Sequence, residues 1–198
     1  MNMRTATKRR YEMRERAASA EATRARIIDA TTELALERWY DEITLKDIAA
    51  VAGVALQTVV NHFGTKEGIF TAALDQPPHP DLTTRLGATP DDIPGAVRLL
   101  VADYEFAGDA IVRALALEHR VPSLKPTLER GRKLQHEWVR DTFPSALAGL
   151  KGAALERRLD LLVCATDVYT WKLLRRDRGL SRAKTAEAIH ELVEAVIR

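Results

Sequence analysis

The sequence predicts an all-α protein of two helical domains, and three observations lead there. Alanine, leucine, arginine and glutamate, all good helix formers, dominate its 198 residues. No segment alternates apolar and polar residues over the length of a strand, whereas several repeat apolar residues at three- and four-residue spacing. Five prolines (Pro77, Pro78, Pro80, Pro90, Pro94) and Gly87 fall within residues 76–94, where they block helix continuation and mark a boundary. Hydrophobic residues at 46% suffice for a buried core. No run approaches the roughly 20 apolar residues of a membrane helix, and residues 1–26 lack the apolar stretch of a signal peptide, so a cytoplasmic, non-membrane protein is expected. The single cysteine, Cys164, excludes an intrachain disulfide and, set in an apolar run, reads as a small core residue.

Each element has a local reason. Residues 1–21 are polar and weakly patterned and read as a basic arm, flexible or only partly helical. A helix follows over about 22–38, with Ile27, Ile28, Thr31, Leu34 and Ala35 on one stripe. Trp39 and Tyr40 follow it, and Asp41 and Glu42 make a turn. Thr44 caps a short helix with Leu45, Ile48, Ala49 and Ala52 inward. Gly53 ends that helix, another covers about 55–63, and Gly64 and Thr65 lead into 66–74, which buries Ile69 and Phe70. Beyond the Pro-rich linker the periodicity predicts helices at 93–106, 109–119, 124–143, 152–178 and 181–197, the last capped by Ser181. The expected organisation is therefore an arm (1–21), a first domain (22–75), a linker (76–94) and a second helical domain (95–198).

The distribution of charge is more telling than its total of +2. Residues 1–26 carry eight basic groups against three acidic ones, and residues 27–75 reverse the balance with three against eight. Yet from Ile48 to Thr65 there is no Asp, Glu, Lys or Arg, and a lysine stands just outside each end, Lys46 and Lys66. A surface that approaches phosphates must not carry carboxylates. The gap coincides with LKDIAAVAGVALQTVVNHF, residues 45–63. Two short helices meet there at Gly53, which tolerates positive φ, with Ala49 and Ala52 small enough for a close crossing. Ile48, Val54, Val59 and Phe63 supply the shared core, so the second helix is held at an angle that suits a DNA major groove. Its outward face carries Ala55, Leu56, Gln57, Thr58, Val60, Asn61 and His62. Gln57 and Asn61, one turn apart, bear amides of the kind that read adenine. Thr58 and His62 are phosphate donors, and Leu56 and Val60 are matched to thymine methyls.

Residues 26–74 resemble the N-terminal domain of the TetR family of regulators. The resemblance rests on Thr44, Ile48-Ala49, Ala52-Gly53-Val54, His62-Phe63 and Lys66-Glu67, which match the family pattern in order and spacing. It implies a helix-turn-helix, three-helix DNA-binding domain followed by a helical ligand-binding and dimerisation domain. It further implies a ligand-responsive repressor that binds a palindromic operator in double-stranded DNA as a homodimer, through the two C-terminal helices. Thr44 and Lys66 would hold phosphates from the flanks, Thr58 and His62 from the recognition helix, and Leu56, Gln57, Val60 and Asn61 would read bases. Two departures stand out. The family usually has tyrosine at Val60, and often serine and lysine at Ala55 and Leu56; the Arg-rich arm could make up the missing phosphate contact.

In the second domain the resemblance implies a small-molecule effector, with Tyr104, Glu118, His119, Trp138, Tyr169 and Trp171 as candidate contacts. The stripes at Leu155, Leu159, Leu162, Val163 and Leu173, and at Ala186, Ile189, Val193 and Val196, suit pairing with a twin subunit or an ordinary core. His119 and His136 lack metal-ligand spacing, so neither metal nor cofactor is expected. No Gly-rich phosphate loop, GxSxG turn or HExxH motif occurs, so an enzyme is not expected. A helical protein-interaction adaptor is the remaining alternative, and carboxylates on the recognition face, its distinguishing mark, are missing.

Overall fold

The computed structural model describes the backbone of residues 3–74 and 84–198 and the side chains of 13–73 and 85–198. The chain divides into two compact units, Met1–Gln76 and Pro77–Arg198. Residues 75–83, which include the first part of the expected linker, lie outside the described residues. Every element among the described residues is helical, and no described helix is long and apolar enough to cross a membrane.

In the first unit, α1 (Met3–Glu37) runs for 35 residues. The expected helix at 22–38 is its C-terminal half, and the expected loose arm is its N-terminal half. Residues 3–21 have no apolar stripe, but they contain no glycine or proline and are rich in Ala, Arg and Glu. Once a helix is nucleated, adding such residues costs little. A 3₁₀ turn at Tyr40–Glu42 leads to α2 (Leu45–Val51), α3 (Leu56–Phe63) and α4 (Lys66–Leu74). The core joins Ile27, Ala30 and Leu34 of α1 with Ile43, then Ile48, Ala49 and Ala52, then Val59, Ile69 and Phe70. α1 packs against both α2 and α4.

In the second unit, a short turn at Thr84–Gly87 precedes α5 (Ile93–Ala116). Asp92 caps α5 by accepting from the Gly95 amide at 3.0 Å. Then come α6 (Lys125–Thr142), α7 (Pro144–Leu147), α8 (Gly152–Ala165), α9 (Val168–Lys172), a π-helical turn at Leu173–Asp177, and α10 (Arg182–Ile197). Ser181 caps α10, its hydroxyl accepting from the Lys184 amide at 3.3 Å. α5 is the hub, touching the Thr84–Gly87 turn, α6, α9 and α10.

Three expectations are corrected here. The helices expected at 93–106 and 109–119 are one helix, because Gly108 lies under the Trp171 ring rather than in a turn; a Cβ there would come within 2.5 Å of that ring. The helix expected over 152–178 is interrupted at Thr166 and Asp167. The Thr166 hydroxyl donates back to Leu162 O at 2.8 Å, and Asp167 Oδ1 accepts from the Tyr169 amide at 2.8 Å, starting α9 afresh. Cys164 is exposed, not core: it lies about 200° around α8 from the buried Leu162. Of the two uses open to the apolar stripes of α8 and α10, Leu159, Leu162, Ile189 and Val193 take the second: they belong to this subunit's own core, each with no exposed surface.

Candidate nucleic-acid interface

The turn between α2 and α3 is built as the residue types require. Gly53 has φ of 63°, a conformation that side-chain-bearing residues adopt only with strain. Its amide donates to Ala50 O at 3.2 Å, and the Val54 amide donates to Ala49 O at 3.0 Å. Ala49 and Ala52 are buried beside it, while Ile48 and Val59 are completely enclosed. Each such side chain contributes roughly 1.5–3 kcal/mol by leaving water, so α3 is fixed by apolar packing on its inner side.

The outer side of α3 is exposed at Leu56, Gln57, Val60 and Asn61 and half-buried at Thr58 and His62. Leu56 and Val60 expose 38% and 37% of their surface, high for large apolar residues with a core beside them. The Gln57 Nε2 donates to Asn61 Oδ1 at 2.9 Å. Ala55 is exposed at the N-cap, in extended conformation, and makes no side-chain cap.

The two flanking residues expected to hold phosphates have structural partners. The Thr44 hydroxyl accepts from the Asp47 amide at 3.2 Å and donates to Asp47 Oδ2 at 2.7 Å. The Thr44 amide donates to the same oxygen at 2.8 Å, completing a reciprocal cap on α2. These two bonds from Thr44 hold the Asp47 carboxyl below its usual range, with Arg38 adding to the effect. Lys66 Nζ donates to the carbonyls of Tyr40 at 2.7 Å and Ile43 at 3.0 Å, and lies 4.1 Å from the centre of the Tyr40 ring. Two of its three N–H groups therefore tie α4 to the turn before α2, and a phosphate would engage the third. Tyr40 completes this corner: its hydroxyl donates to Glu67 Oε1 at 2.8 Å, and its ring meets Phe70 edge-on at 4.7 Å. From its sequence neighbours alone Tyr40 is merely a residue beside a turn. No local spacing links it to Lys66 and Glu67, 26 and 27 residues away.

In the second unit the six candidate effector contacts fall into different environments. Trp171 is fully buried, and Tyr104 and Trp138 nearly so. The Tyr104 hydroxyl donates to Thr166 O at 3.0 Å, and burial pushes this phenol above its ordinary range, so it remains a donor at neutral pH. Trp138 Nε1 donates to Arg85 O at 2.9 Å, and Trp171 Nε1 to Glu105 Oε1 at 3.2 Å. Tyr169 and His119 are exposed. Glu118 pairs with Arg132, whose hydrogen bonds hold the carboxylate below its usual range. The residues that join Tyr104 and Trp138 were not singled out from the sequence. Arg85 donates to Gln135 Oε1 at 2.6 Å and pairs with Asp103 at 3.6 Å, and Gln135 Nε2 donates to Thr166 Oγ1 at 2.9 Å. Asp103, set among the apolar residues of α5, would have been the signal; Gln135 stands in the mostly polar α6 and gives none.

Two short helices joined by a positive-φ glycine, with an uncharged and exposed second helix, define a helix-turn-helix DNA-binding domain. Residues 27–73 match the family model described as bacterial regulatory proteins, tetR family, and the chain carries the DNA-binding domain of that family of transcriptional regulators. Three curated relatives agree. The HTH-type transcriptional regulator AlkX of Mycobacterium tuberculosis is 43% identical over 54 residues, 25% of this chain and 26% of AlkX. The HTH-type transcriptional regulator SrpR of Pseudomonas putida is 42% identical over 77 residues, 37% of this chain and 36% of SrpR. The uncharacterized HTH-type transcriptional regulator TtgW of Pseudomonas putida is 40% identical over 77 residues, 37% of this chain and 58% of TtgW. The chain thus spans less than two thirds of each of these relatives. The family and the relatives are regulators, not enzymes.

Proposed function

We propose that this chain is a ligand-responsive transcriptional repressor that binds a palindromic operator as a homodimer in the cytoplasm. The observation that carries the reading is the exposed, uncharged outer face of α3, held from behind by Ile48 and Val59. Leu56, Gln57, Val60 and Asn61 face the bases, with Thr58, His62 and the third N–H of Lys66 on phosphates. Thr44 keeps α2 in place and reaches a phosphate only in competition with Asp47. Two such helices related by a two-fold axis would read half-sites about one DNA turn, ~34–36 Å, apart.

Support for the dimer comes from apolar side chains that the subunit's own core does not use. Leu161 of α8 and Leu192 of α10 each expose 44% of their surface, and Leu173 exposes 54%. Leu161 also lines a groove with Leu150, Ala153, Ala154, Arg157, Arg158 and the partly core-packed Val196. Support for effector control comes from the polar bonds buried around Tyr104 and Trp138. An effector inserted there must displace the bond from Gln135 to Thr166 or the contacts of Arg85. It would then favour a second arrangement of the helices, and would shift the population in proportion to its differential affinity.

Selection of bound fragments from a random DNA pool, read at ~150 mM salt so that sequence-blind phosphate binding is weak, tests the reading. Recovery of a palindrome is expected; recovery of no sequence preference overturns it. Sedimentation equilibrium is expected to give twice the chain mass. Leu161→Glu, on an exposed position, is expected to yield a folded monomer that loses the palindrome. A monomeric parent chain would remove the dimer.

A further inference from the structure

We infer that Asn61 is a positioning residue for Gln57, and that the two amides together read one adenine. This rests on the proposal that α3 lies in a major groove. Gln57 Nε2 donates to Asn61 Oδ1 at 2.9 Å across one helical turn, with both side chains exposed. A hydrogen bond between solvated amides adds little to stability. Its consequence is orientation. A free glutamine explores many rotamers, and ordering it upon binding opposes affinity; here Asn61 has already restricted it.

The bond also determines what the pair displays. A carboxamide has one oxygen and two N–H groups. Gln57 gives one N–H to Asn61 and keeps its oxygen and its other N–H. Adenine presents one donor and one acceptor in the major groove, N6–H and N7, which require one acceptor and one donor in return. Gln57 supplies this complement when the N–H trans to its oxygen is the one given to Asn61, because the cis N–H then stands beside the oxygen. Asn61 Oδ1 is engaged with Gln57; in this proposal Asn61 acts through that bond, and its two Nδ2 donors go to water or phosphate rather than to a base.

The rest of α3 points the same way. Leu56 and Val60, also one turn apart, form an exposed apolar ridge alongside the amide pair, suited to a thymine methyl. Guanine is read most often by Arg or Lys, and Leu56–Phe63 contains neither. The pair therefore selects an A·T base pair in each half-site, with thymine methyl contact adjacent.

The test uses the full chain and its variants on the selected operator and on duplexes altered at single base pairs. The parent is expected to select A·T at one position per half-site, discriminating there by about five- to a hundredfold. Gln57→Ala is expected to bring that ratio close to one. Asn61→Ala is expected to lower the ratio at the same position and no other, and the double variant to go no further than Gln57→Ala. Asn61→Asp keeps an oxygen for Gln57 and is expected to restore the preference while weakening binding to every sequence alike. Relaxation of a second position by Asn61→Ala, with additive losses in the double variant, would overturn the proposal in favour of two independent readers. Selection of G·C at the Gln57 position, or an unchanged profile for Asn61→Ala, would overturn it as well. A parent with no preference anywhere removes operator reading itself, a result visible before any variant is compared. Unchanged circular dichroism and melting are expected throughout, since both side chains are on the surface.

Discussion

Val60→Glu is expected to abolish specific DNA binding, lowering affinity at least about a hundredfold, while melting stays within roughly 2 °C of the parent. Val60 exposes 37% of its surface on the outer face of α3, so the fold does not depend on it. In the proposed complex, however, it enters the groove. A carboxylate there meets phosphates of like sign, and the absence of Lys and Arg from Ile48 to Thr65 leaves it without a neighbouring cation on that stretch. Like-charge juxtaposition at an interface costs several kcal/mol, and a hundredfold is about 2.7 kcal/mol. Val60→Gln, similar in size to the glutamate but neutral, separates charge from shape and should retain most of the affinity. Fluorescence anisotropy on the selected operator measures both variants. Parent-like binding by Val60→Glu would show that this face of α3 does not enter the groove.

Trp171→Ala is expected to destabilise the second unit by about 3–5 kcal/mol, the usual range for removing a large buried aromatic. Trp171 is wholly enclosed, and its ring covers Gly108 of α5, with Tyr104 5.8 Å away centre to centre. The Arg176 guanidinium lies over the ring, 4.5 Å from its centre, and is itself held by Asp109, which raises its pKa further. Few small domains carry more than 5–15 kcal/mol in all, so the variant should unfold at markedly lower urea concentration, followed by circular dichroism because one tryptophan is lost. Gly108→Ala tests the same contact from the other side. Its methyl would be forced into the Trp171 ring, so a loss is expected even though alanine is the better helix former. A gain in stability would mean that α5 and α9 separate easily here.

The helix-turn-helix of the first unit was legible almost residue by residue. Gly53 at the turn, Ala49 and Ala52 at the close contact, Thr44 at the cap and the enclosed Ile48 and Val59 are where local patterns put them. Each depends on neighbours within one or two helical turns, and sequence spacing reports those directly. The C-terminal helix with its Ser181 cap was readable for the same reason.

Tertiary contacts decided the rest. Gly108 reads locally as a break, and the ring of Trp171, far along the chain, makes it a close-packed point inside one continuous helix. Lys66 reads as a cation facing phosphate, yet carbonyls 26 and 23 residues away claim most of its donors. The polar core of the second unit joins Arg85 to Gln135 across 50 positions and Tyr104 to Thr166 across 62. The apolar stripes of α8 and α10 are equally suited to a twin subunit and to an internal core, and only their packing assigned Leu159 and Ile189 inward and left Leu161 and Leu192 outward. Periodicity states that a face is apolar; which surface covers it depends on the free energy of bringing together residues that are distant in the chain. The sequence by itself thus determined the helical class and the helix-turn-helix motif, and the tertiary structure decided where several helices begin and end and which side chains remain available to act.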